Sequence, residues 1–423
     1  MELSNPMNLR LSLITAALLP LLGAPIAANA DDSDLERIVV TGDFQRESIQ
    51  TLSASASLFS EDEINQRGAS YLDEMLGSTA NVNFASGASR GRYIQIRGVG
   101  LRSQFVDPIN PSVGLVIDGI NYSGLGGSSL LFDIDQVEIY RGPQGTRFGA
   151  DGMAGMIQMG SAKATSDPSL KLQVGAGTYN TREAGIAAST GLTDDTSARV
   201  SYFRRKSDGY VDNLYLNDET QNQDEQVARF KLNSQLTKHL NTELNLHYID
   251  INNGYDAFTL DNSRTTLSDE PGRDQQESLA LAIDSSWQLE NFDLKLILGL
   301  ADSNMEYAYD EDWTFAGIHP DGYMSRDSYI RDRETQSLEL RFISNDSSRL
   351  FSDSTDWLFG VYALNSTESL RREYTFLAAD FRSDYDFSTA AVFFQLDSSL
   401  REKLTLETGL RVERRDTSYR DSE

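Results

Sequence analysis

The chain has 423 residues, a formal net charge of -27, 39% hydrophobic residues and no cysteine, with a mean hydropathy of -0.41. The acidity argues against nucleic-acid binding, which uses basic patches. The lack of cysteine removes disulfide staples, so stability must come from the fold itself. No stretch past residue 30 is long and apolar enough for a membrane-spanning helix, but a β-barrel stays open, because its strands hide a lipid face in alternation and keep the average polar.

Residues 1–30 read as a secretory signal: Arg10 supplies charge, Leu11 to Leu22 an apolar core, and Ala28-Asn29-Ala30 a small-residue cleavage site before Asp31. The alternative is a short buried helix, but the order of the three parts favours the signal. Residues 31–60 form a polar, Ser-rich tail with one apolar island, Ile38-Val39-Val40.

Residues 61–165 have the texture of a compact α+β domain. Helical spacing runs from Glu61 to Leu76 with Ser60 as N-cap. Short strands follow at Tyr93–Arg97, Leu115–Ile117 and Gln136–Tyr140, each closed by Gly or Gly-Pro.

From about residue 166 to 423 the pattern is period-two alternation. Leu294, Leu296, Leu298 and Leu300 share one face against Asp293, Lys295 and Gly299; Ala228, Phe230 and Leu232 oppose Arg229, Lys231 and Asn233. A wall between lipid and a polar lumen requires this alternation. A soluble sandwich shares it, but soluble strands are shorter than many of these runs. Eleven strands are expected, near 170–178, 182–191, 196–206, 225–236, 241–251, 276–289, 292–306, 332–344, 355–367, 386–400 and 403–416. Short connections on one side alternate with long ones on the other, as periplasmic turns and extracellular loops do. The short first hairpin and the longer turn 345–354 depart from that rhythm.

Five segments then carry a family resemblance. Glu36 to Gly42 resembles the TonB box of TonB-dependent outer-membrane receptors, with Ile38, Val39, Val40, Thr41 and Gly42 as its body. Physically it is a β-branched run in a polar tail, suited to pairing with another protein's sheet edge. Ile94 to Gly100, containing Arg97 and Gly98, is similar to the family's "IRG" strand. Val116 to Ile120, containing Asp118 and Gly119, is similar to its "DG" turn. Phe132 to Gly149 resembles its hinge pattern through Arg141, Gly142, Pro143, Gly145 and Gly149, and a glycine-rich turn and final plug strand follow through Met159.

The resemblance spans the whole chain. It implies a signal peptide (1–30), a periplasmic tail with the box (31–60), a plug (61–165) and part of a transmembrane antiparallel barrel (166–423). It also implies active import of a scarce ligand by way of TonB and its inner-membrane motor, with location in the outer membrane of a Gram-negative cell. A ferric siderophore is the default ligand, with haem, cobalamin or a carbohydrate as alternatives. The iron chelate would be carried rather than retained, so no cofactor is expected. Arginines at the positions of Arg97 and Arg141 imply a latch to wall glutamates, for which Glu339 and Glu413 face the lumen by alternation; ordinary lumen carboxylates are the competing description. Arg90, Arg92 and Arg102 are candidates for meeting an anionic ligand at the plug apex. Family barrels have about 22 strands, so the chain reads as a fragment of a longer protein.

Other chemistry is weaker. Gly87-Ala88-Ser89-Arg90-Gly91 matches a nucleophile elbow but lacks the strand before and helix after it. The three histidines, His239, His247 and His319, lack metal-ligand spacing. The run Asp310-Glu311-Asp312 suggests weak calcium binding, with a solvated acidic loop as the preferred reading. No catalytic constellation is evident, so no enzyme is expected. A passive porin would share the strands but needs neither the box nor the plug.

Overall fold

The computed structural model describes residues 52–85, 93–102, 108, 111–125, 130–144, 152–319 and 321–423. The signal segment, the box Ile38–Gly42, Arg90, Arg92, Gly145 and Gly149 lie outside them.

The strand Ala56–Ser60 leads into a helix, Glu61–Arg67. Ser60 caps it by accepting from the Glu63 N–H at 3.4 Å, and Glu61, Asp62 and Glu63 in the first turn suit the positive end of the helix dipole. The expected single helix 61–76 is two. Gly68 adopts φ 64°, and its N–H returns to the Asn65 and Ile64 carbonyls, ending the first helix. A second helix, Leu72–Leu76, then buries Leu72, Met75 and Leu76. The break brings Tyr71 to a wall strand, where its hydroxyl donates to Glu225 at 2.7 Å.

The plug's main sheet runs in the spatial order Ala56–Ser60, Ile134–Arg141, Gly155–Ser161, Val113–Ile117, Ile120–Asn121. Only the Val113–Ile117 and Gly155–Ser161 pair is parallel. A second small sheet joins Val82–Ala85, Tyr93–Ile96 and Val99–Gly100. Ile117, Val137, Ile139 and Ile157 are fully buried between these elements and the helices.

Beyond the plug, eleven antiparallel strands follow in strict chain order. They are Ser169–Ala176, Arg182–Thr193, Thr196–Ser207, Gln223–Thr237, Leu240–Tyr255, Gly272–Gln288, Phe292–Asp310, Arg326–Ser344, Thr355–Tyr374, Phe381–Arg401 and Leu404–Asp421. All eleven expected strands are present, and several extend further on the long-loop side. There the loops bond to one another, and Asp212–Asn213 pairs in parallel with Thr265–Thr266.

Register turns the alternation into a continuous apolar belt. Leu172 lies opposite Ile186, Val200 opposite Phe230, Phe230 opposite Leu246, Leu246 opposite Leu281, and Leu281 opposite Leu300. It continues through Leu298 and Leu338, Leu340 and Val361, Val361 and Val392, and Val392 and Val412. The other face carries buried polar groups such as Asn245, Gln276, Ser278 and Ser303. An apolar face without a protein partner and a polar face turned onto the plug are the layout of a lipid-facing wall.

Leu281→Arg, in the middle of the belt, is expected to cost about 2–4 kcal/mol in a bilayer, and Glu277→Arg, nearer the loops on the same face, about 0–1 kcal/mol. Urea unfolding of the two variants in lipid vesicles checks this. Equal costs would remove the lipid from that face.

Candidate functional site: a plug hairpin in a basic wall socket

Two plug motifs form the same local structure. Arg97 (φ 54°) and Gly98 (φ 80°) link paired Ile96 and Val99, and Asp118 (φ 49°) and Gly119 (φ 84°) link paired Ile117 and Ile120. Two-residue hairpin loops with positive φ at both positions are primed turns, in which Asp-Gly is strongly favoured. The Asp118-Gly119 turn fits closely against the wall. A Cβ on Gly299 would come within 3.0 Å of the Gly119 carbonyl, so a wall glycine makes room for the plug turn.

At this turn the Asp118 side chain, 3% exposed, joins plug and wall. It accepts from the Ser161 N–H at 2.9 Å, the Lys231 ammonium at 3.3 Å and His247 Nε2 at 3.0 Å. His247 Nδ1 lies 3.3 Å from the Tyr122 hydroxyl, so a neutral ring donating to Asp118 accepts from Tyr122. Burial pushes the Asp118 carboxyl up, but Lys231 and the hydrogen bonds from His247 and Ser161 outweigh it and hold it well below the usual carboxylate range.

A second plug carboxylate, Asp133, sits at another positive-φ position and takes a two-pronged contact from Arg199, with Nε to Oδ2 at 2.9 Å. Arg229 donates to the carbonyls of Phe132 (2.7 Å) and Leu130 (3.0 Å), and Arg333 to that of Ser123 (2.8 Å). Arg199 lies directly opposite Lys231, and Arg229 directly opposite His247. The wall thus presents a block of four basic side chains, into which the plug inserts carboxylates and carbonyls.

The expected latch ran the other way, with plug arginines on wall glutamates. In these contacts the charge order is reversed. Arg141 donates to plug carbonyls, Ala80 at 3.1 Å and Ala56 at 3.4 Å. The Arg97 guanidinium lies against Gly142, with Nη1 2.9 Å from where a Cβ would be. Gly142 N–H bonds the Ala154 carbonyl at 3.0 Å, which closes the corner before exposed Pro143. Glu339 bonds Arg341 on its own strand, and Glu413 pairs with Arg411 at 2.7 Å. Glu339, Arg341 and Arg411 line a cavity of about 100 Å³ facing Gly119, Val116 and Gln158 of the plug. Arg102 is exposed.

Lys231, His247, Arg229, Arg199 and Asp133 were not singled out from the sequence. The available signal was Arg229 and Lys231 at successive inward positions of one strand, an unusual density of charge for a wall that must pack against something.

Towards the loops the lumen wall is rich in tyrosine. Tyr255 and Tyr307 lie 5.3 Å apart between ring centres, and Arg372 stacks over Tyr329 (5.1 Å) and Tyr374 (4.7 Å) while bonding Asp327 at 2.9 and 2.7 Å.

Asp118→Asn keeps the shape of the turn but takes the plug counter-charge from the buried Lys231, leaving it only the wall's Glu243 at 3.5 Å. Removing one member of a buried pair costs about 3–5 kcal/mol, so amide exchange over 113–121 should quicken at least tenfold while the wall strands stay protected. The pH dependence has a definite sign. A carboxyl held below its unfolded pKa of about 3.9 contributes stability above that pH and loses it as pH falls through the folded value. The wild-type turn should therefore stay protected at pH 5, and unchanged exchange in D118N would deny the socket its role.

Comparison with known proteins fits this geometry. Residues 48–156 match the TonB-dependent Receptor Plug Domain. A pesticin receptor from Yersinia pestis is 28% identical over 148 residues, 34% of this chain and 22% of that protein. The vitamin B12 transporter BtuB of Vibrio vulnificus (strain YJ016) is 27% identical over 183 residues, 41% of this chain and 28% of that protein. The ferric yersiniabactin uptake receptor FyuA from Yersinia pestis superposes with a TM-score of 0.73 at 18% identity, over 87% of this chain and 58% of that one. The chain therefore spans well under two thirds of each. The chain thus carries a TonB-dependent receptor plug domain over residues 48–156, followed by eleven antiparallel strands in the plug-and-barrel fold of those receptors.

Proposed function

We propose that the protein imports a scarce ligand across the outer membrane by energy coupling through TonB, with a ferric siderophore as the ligand and no retained cofactor. The observation that carries this reading is the way the plug is held. Its hairpin is joined to the wall by polar contacts around Asp118 and Asp133 that can part and re-form, whereas a permanent stopper would need only apolar packing. In this reading the ligand meets the tyrosine-rich wall and the plug apex, where Arg90, Arg92 and Arg102 are the proposed contacts. TonB pairs with Ile38 to Gly42 and its inner-membrane motor supplies the pull. The signal peptide, the coupling box and residence in the outer membrane are parts of the same proposal. Relatives named for vitamin B12 and for ferric yersiniabactin carry different cargoes, so haem, cobalamin or a carbohydrate is the alternative ligand.

Proline at Val40 removes a backbone donor from the pairing strand and should abolish uptake without lowering outer-membrane abundance; normal uptake would sink the coupling assignment. Uptake should also collapse when the proton gradient is discharged, whereas a passive pore would be indifferent. For the ligand, the protein's abundance in outer membranes should rise on iron starvation as measured by quantitative mass spectrometry. An unchanged level turns the assignment to the non-iron ligands.

A further inference from the structure

The ring of Phe132, 5% exposed, leaves the plug and enters the wall. It meets the strand Arg182–Thr193 at Gly185, where a Cβ would lie 2.5, 2.7 and 2.9 Å from three ring carbons. Any larger residue at 185 would push the ring or the strand aside. The two neighbouring strands flank the same spot. Phe203, directly opposite Gly185, stacks on the ring with 5.2 Å between centres and 18° between planes. From the other side Lys171, opposite Ala187, brings its ammonium 5.3 Å from the ring centre. Lys171 also holds Glu61, the first residue of the plug's first helix, at 2.5 Å. The backbone around the ring belongs to the basic socket: the Phe132 carbonyl accepts from Arg229, and Asp133 from Arg199.

Charge alone does not index this seat. Long arginine and lysine side chains follow a plug that shifts slightly, whereas a flat ring in a slot one glycine wide does not. We propose that Phe132 is the key that seats the plug, with Gly185 as its slot, and that the Glu61–Lys171 pair is the catch over it. Buried aromatic anchors in fitted pockets carry much of the energy of an interface, and a cation over the ring adds to it. The catch is weak by build: the Lys171 and Glu61 side chains are 26% and 34% exposed, and such pairs contribute little. Glu61 directly follows the tail strand Ala56–Ser60. Drawing that strand away would part Glu61 from Lys171 and free the ammonium from the ring. This release rests on the import reading; the seat does not, and its test needs no transport.

The protein has no cysteine, so Ser201→Cys gives a single reporter. Ser201 is 3% exposed, lies opposite Ala187 and is two residues from Phe203 on the same strand. Its rate of labelling by a small maleimide, in full-length protein in outer-membrane vesicles, reads how often the plug leaves this stretch of wall. Gly185→Ala should speed labelling about tenfold or more, as overpacking a fitted contact does. In the Phe132→Ala background the same change should add nothing. An unchanged rate in G185A, or an equal gain with and without the ring, would overturn the key. If G185A fails to assemble, Phe132→Leu, which keeps apolar bulk without a ring, should speed labelling by a similar factor, and an unchanged rate there would overturn the key equally. Glu61→Gln should speed labelling about two- to fivefold and add nothing in the Lys171→Met background; an equal gain in both backgrounds would remove the catch. Uptake that fails while labelling follows these rates would count against import and leave the key standing.

Discussion

A strand with lipid on one side and a polar interior on the other has no freedom in its side-chain order, and everything else in this protein rests on that constraint. The Leu-Val-Ile belt from Leu172 to Val412 is continuous only because each of eleven strands keeps its register with the next. A slip of one residue would turn a whole strand's apolar set inward. The same constraint delivers Arg199, Arg229, Lys231 and His247 to one patch of the interior, since each occupies an inward position in neighbouring strands.

That patch is not a comfortable arrangement by itself. Like charges directly opposite on one face of a sheet repel, and burial raises the cost. Asp118, Asp133 and the carbonyls of Leu130, Phe132 and Ser123 relieve it. Plug and wall are therefore electrostatically incomplete apart and complementary together. Buried ion pairs seldom add much net stability over apolar packing, but they fix position. For a part that must seat in one orientation, position matters more than strength.

The wall was largely legible in the sequence, because period two is a local property that each strand declares by itself. Its strand ends were less so. Arg326–Asp332 and Phe381–Tyr385 continue their strands above the belt, where the outward face is polar and the alternation of hydrophobicity fades. The helix break at Gly68 was misread because apolar spacing on either side of it happens to stay in phase. The plug turns were visible as Arg-Gly and Asp-Gly pairs, but their wall partners were not. Which inward residue meets Asp118 depends on how the plug sits against strands more than a hundred residues later in the chain, and nothing local encodes that. Asp310 and Asp312 are buried rather than solvated, which was hidden for the same reason, since another loop covers them.

If the protein imports a ligand as proposed, the reversed charge order has a consequence for what passes. A plug that held the wall by its own arginines would, on moving, expose acidic wall. Here a departing plug would take Asp118 and Asp133 with it and leave only Glu243 beside Lys231. The wall would then present Arg199, Arg229 and Arg333 parted from Asp133 and the plug carbonyls, with Lys231 keeping the wall's Glu243. Such a surface lowers the barrier for a negatively charged solute and raises it for a positive one. Under the proposed import, unlocking would thus give the passage its own ion selectivity, and the same vacated charges would draw the plug home.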